Sequence, residues 1–62
     1  MTYALEKAIG KTVMVEKLYV GGIDGRATLV KKAPAQLNIP HWFIDVDGVV
    51  FPVEETRIKE DK

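Results

Sequence analysis

The chain has no cysteine and no serine, and its only histidine is His41. Without cysteine there is neither a disulfide framework nor a thiolate metal site. Without serine or cysteine, a nucleophile must be a threonine or tyrosine, and none lies in a recognisable motif. His41 has no usable partner either. Asp45, the carboxylate on its own strand face, stands two strand steps away, about 13 Å. No catalytic residue is assigned, and no cofactor. Charge of one sign is lacking too: nine basic side chains balance nine acidic ones. No overall field therefore draws the chain to a polyanion or an anionic surface. Long apolar runs are absent, so no segment spans a membrane. Residues 1–7 mix acid and base without the apolar stretch of a signal peptide. These absences lead to the expectation of a soluble, cytoplasmic protein.

At 62 residues the chain is read as one domain, 1–62. A domain so small buries only about 60% of the surface its unfolded chain exposes. A tight apolar core has to hold it, helped by self-association, for which a homodimer is the simplest form.

The clearest local signal is the segment from Trp42 to Val53, which reads as a β-hairpin turning at Asp47-Gly48. Asp-Gly suits a two-residue turn whose central residues both need φ > 0. That turn sets Val46 against Val49, Ile44 against Phe51 and Trp42 against Val53, all on one face. Upstream, Val13 and Val15 alternate with polar neighbours as a half-buried strand does. The apolar phase then shifts to Leu18 and Val20, which predicts a bulge near Glu16-Lys17. Gly21, Gly22 and Gly25 mark a turn cluster. No Lys-Ser/Thr pair or helix follows it, so it is not a phosphate loop.

Arg26 to Lys32 predicts a second strand, with Ala27 and Leu29 on its inner side. The stretch 33–40, bounded by Pro34 and Pro40, predicts a long loop. Residues 3–9 predict a short helix capped by Thr2 and ended by Gly10. Residues 54–59 predict a one-turn helix or a last short strand, and 59–62 a loose charged tail.

About five short strands with glycine-rich turns predict an all-β fold, a small bent antiparallel barrel. The run Gly10-Lys11-Thr12-Val13-Met14-Val15, with Gly25-Arg26-Ala27-Thr28-Leu29, resembles the opening strands of SH3-like barrels, including the KOW type. The segment from Trp42 to Ile58 resembles their closing strands and final turn. The resemblance implies an SH3-like domain and, through the KOW type, a nucleic-acid partner.

Two surfaces compete for the function. If Trp42, Ile44 and Val46 face the core, then Phe43, Val50, His41 and Met14 face outward beside Leu37 and Ile39. An apolar face of that kind marks a protein partner or a second copy. The N-terminal helix, with Leu5 and Ile9, is the alternative cover for it. Lys17, Tyr19, Arg26, Lys31 and Lys32 instead supply charge and an aromatic platform for single-stranded nucleic acid. The balanced charge puts the protein partner first. Asp45 and Asp47, with Glu54 and Glu55, lack the 6–8 oxygen ligands calcium takes, so no metal is assigned.

Overall fold

The computed structural model describes residues 5–60. The expected Thr2 cap and the last two residues of the expected tail lie outside them. The protein is all-β: β1 (Thr12–Tyr19), β2 (Ile23–Gln36), β3 (Ile39–Val46), β4 (Val49–Glu54) and β5 (Ile58–Glu60) form one antiparallel sheet in the order β4-β3-β2-β1-β5. A 3-10 turn precedes β1 (Leu5–Ala8) and another precedes β5 (Glu55–Arg57). No helix among the described residues is long and apolar enough to cross a membrane.

The Asp47-Gly48 hairpin has the expected register, Val46↔Val49, Ile44↔Phe51 and Trp42↔Val53. Asp47 (φ 52°) and Gly48 (φ 86°) both take the left-handed conformation such a turn needs. Its inner residues join one core: Trp42, Ile44 and Val53 pack with Val13, Val15, Ala27, Leu29 and Ile58. Trp42, at 1% exposure, is the largest buried side chain. Its indole N–H donates to Glu55 Oε2 at 2.7 Å, which satisfies a group that is costly to bury unpaired.

The bulge in β1 is also present and larger than the sequence pattern requires. Between the pairs Val15↔Gly25 and Tyr19↔Ile23, residues Glu16, Lys17 and Leu18 face Asp24 alone. Lys17 turns left-handed at φ 55°. Side chains take up its loose backbone groups. Asp24 Oδ1 accepts the Lys17 N–H at 3.0 Å, and Arg57 donates to the Glu16 carbonyl at 3.0 Å and the Lys17 carbonyl at 2.8 Å. Within the bulge Leu18 leans on the core. Gly25 is buried because Tyr19 and Leu18 lie across it; a Cβ there would meet Leu18 Cδ2 at 2.8 Å and the Tyr19 ring.

Three expectations need correction. The N-terminal helix is a four-residue 3-10 turn, too short to be a stable helix alone. Leu5 and Ala8 bury into the main core, whereas Ile9 is left 46% exposed. This turn covers the inner side, so among the described residues the N-terminal segment does not cover the outer face. The 33–40 loop is a hairpin instead. β2 runs on to Gln36, Leu37 (φ 53°) and Asn38 (φ 64°) make a two-residue turn, and β3 begins at Ile39. The prolines did not forbid it, because a bulge receives them: between Ala33↔His41 and Gln36↔Ile39, Pro34 and Ala35 face Pro40 alone. Lastly, the expected loose tail is partly strand. Lys59 and Glu60 pair with Met14 and Val13, and both the one-turn helix and the last strand form.

Candidate interaction surface

The register lays out the outer face in rows. Lys59, Met14 and Arg26 form one row; Thr12, Thr28, Asp45 and Val50 form the next; Lys31, Phe43 and Pro52 form a third; Ala33, His41 and Glu54 close the series. Val30 lies at a register shift between Leu29 and Lys31. That shift turns Lys31 to the outer face, where its Nζ stands 5.9 Å from the Phe43 ring centroid. Lys32 then falls on the opposite face, 6.0 Å from the Trp42 ring centroid.

The expected apolar patch is brought together in part. Ile39, His41 and Phe43 follow one another on β3, with Val50 and Pro52 beside Phe43 on β4. Phe43 and His41 are half-buried, and His41 Nδ1 lies 2.7 Å from the Ile39 carbonyl. Met14 is set apart, half-buried next to Arg26 and Lys59, on the far side of the threonine row. Between the two lies a shallow polar cleft of about 260 Å³ walled by Thr12, Arg26, Thr28, Asp45 and Asp47. Asp45 is also a turn residue, since its Oδ1 accepts the Gly48 N–H at 2.9 Å.

Leu37 and Ile39 belong to the most unusual part of the surface. Residues 34–40 are all exposed although they form an ordered hairpin, and none carries a charge. They form an arm standing clear of the core. Leu37 at its tip is 94% exposed in a left-handed conformation, which costs a side chain with a Cβ roughly 1–2 kcal/mol. Replacing it with asparagine, the common residue at such turns, is expected to raise stability by about 0.5–1 kcal/mol, read as a higher denaturant midpoint.

The residues proposed for nucleic acid do not share one surface. Lys17 and Tyr19 sit at the bulged end of β1, Arg26 on the outer face, and Lys31 and Lys32 on opposite faces further along β2. A second apolar tip was not foreseen. Val20 (98% exposed), Ile23 (61%) and Tyr19 (47%) flank the Gly21-Gly22 turn. The glycine pair was its signal, because a turn there carries its apolar neighbours out of the core. On the outer face Lys59 Nζ lies 2.7 Å from Glu16 Oε1. That hydrogen bond, and then the Glu16 charge, hold the Lys59 ammonium above its ordinary pKa. Among the described residues no group of His, Asp and Glu is placed to hold a metal. No protein-family model, curated protein or solved structure matches the chain.

Proposed function

We propose that this protein is a non-enzymatic interaction module of SH3-like type that binds a partner protein through the arm and the adjoining outer face. The sheet order, with a 3-10 turn before the last strand, supports the SH3-like reading. The observation that carries the function is Leu37. Folding gives this leucine no burial and an unfavourable backbone, so its benefit lies outside the domain. Ile39, Phe43 and Val50 extend the apolar surface from the arm onto the sheet.

The test compares the natural protein with Leu37→Asn and with Phe43→Glu/Val50→Lys as baits against extracts of the source cell. Both variants are expected to fold and to lose the same partner. Retention of every captured protein by both variants defeats the reading.

A second reading is binding of single-stranded nucleic acid, supported by the lysines held over Phe43 and Trp42. It requires binding at low salt that weakens steeply as salt rises and in Lys31→Glu/Lys32→Glu. The scatter of the basic residues makes it the weaker of the two.

A further inference from the structure

Among the described residues β4 is an edge strand with β3 as its one partner. Residues 48–53, Gly-Val-Val-Phe-Pro-Val, carry no charge, and Val49 and Val50 are 61% and 51% exposed. A bare edge built from such residues is a template for pairing with another chain. One residue in the segment does not fit that description, Pro52.

The register shows what the proline does there. Val46↔Val49 closes a two-residue hairpin and so exchanges both of its hydrogen bonds. Alternation makes Ile44↔Phe51 and Trp42↔Val53 bonded pairs as well, and leaves Val50, Pro52 and Glu54 at non-bonded positions. The backbone groups of these three residues point away from β3, along the free edge. Pro52 stands at the centre of that row and has no N–H to offer.

We propose that Pro52 is a gatekeeper whose specific opponent is the β4 edge of a second copy of this chain. Two such edges meet antiparallel about a two-fold axis at residue 52. Val50 of each copy then bonds with residue 54 of the other, and residue 52 bonds with its own counterpart. The symmetry makes the single proline act twice, removing both central bonds and setting its ring against the approaching strand. The other free edges have similar guards. Pro34 and Pro40 lie in the arm, where β2 has no β1 partner and β3 no β4 partner, and β5 is only three residues long. It follows that recognition by this domain uses side chains of the face and arm, not strand addition.

The experiment is sedimentation of the natural protein and of Pro52→Thr from micromolar to millimolar concentration, with amide hydrogen exchange at Val50 and Glu54. The variant is expected to double in mass and to slow exchange at both amides. Adding Val50→Lys is expected to return it to a monomer. If the variant aggregates instead, rescue by Val50→Lys supports the proposal and failure of that rescue counts against it. If the variant does not fold, the natural protein decides: freely exchanging Val50 and Glu54 amides support a bare edge, and protected ones overturn it. A folded Pro52→Thr that stays monomeric at millimolar concentration also overturns it. Self-association of the natural protein with both amides still exchanging freely supports it, because the edge is then unused.

Discussion

Trp42→Ala is expected to abolish folding at room temperature. Removing a buried tryptophan costs about 3–5 kcal/mol, and a core in a domain of this size supplies roughly that much stability in total. The variant should show no cooperative thermal transition and an unfolded circular dichroism spectrum. A cooperative transition close to that of the natural protein would refute the central place given to this side chain. A milder pair separates volume from hydrogen bonding. Glu55→Gln keeps an acceptor for the indole N–H and should cost about 0.5–1.5 kcal/mol, whereas Glu55→Leu strands the donor and should cost about 1–3 kcal/mol. Equal losses in the two variants would mean that the 2.7 Å bond contributes nothing of its own.

Arg57→Met is expected to lower stability by about 1.5–3 kcal/mol, the range for hydrogen bonds made by a charged group. In a domain of this length that corresponds to a fall in Tm of roughly 10–20 °C. The cause is the β1 bulge, whose Glu16 and Lys17 carbonyls both depend on one guanidinium. Water can reach the Lys17 carbonyl, which keeps the loss below that of a fully buried pair. Lysine is a poor substitute, since an ammonium cannot present two donors in a fixed fork. Arg57→Lys should therefore recover less than half of the loss. Full recovery by lysine would assign the effect to charge and not to the fork.

Much of the fold could be read from residues whose preferences act over a few positions. Asp47-Gly48 defines its turn through backbone sterics alone, and the alternation on either side then fixes which residues meet. The phase change after Val15 likewise announces a bulge. The arm was hidden because Pro34 and Pro40 are strand breakers unless a bulge accepts them, and the bulge depends on both strands at once. Leu37 gave no turn signal either, since a leucine with φ 53° contradicts its own preference. The candidate surface was therefore legible on β3 and β4, where period-two alternation places Phe43 and Val50. It was not legible for Met14, whose distance from Phe43 depends on pairing across three strands. The clamp made by Arg57 was equally out of reach, because its partners lie 40 and 41 residues away.

The order β4-β3-β2-β1-β5 also has a consequence in time. Every pairing but one joins strands adjacent in sequence, and these hairpins close quickly. The exception is β1 with β5, where Val13 waits for Glu60 and Val15 for Ile58. Its long sequence separation leads to the expectation that β5 docks last on folding and detaches first on opening. Its departure would withdraw Ile58 from Val13 and Val15, and the turn next to it carries Arg57, the clamp on the bulge. On that expectation the contact between the two ends of the fold acts as its latch, and amides of β5 should report the earliest opening.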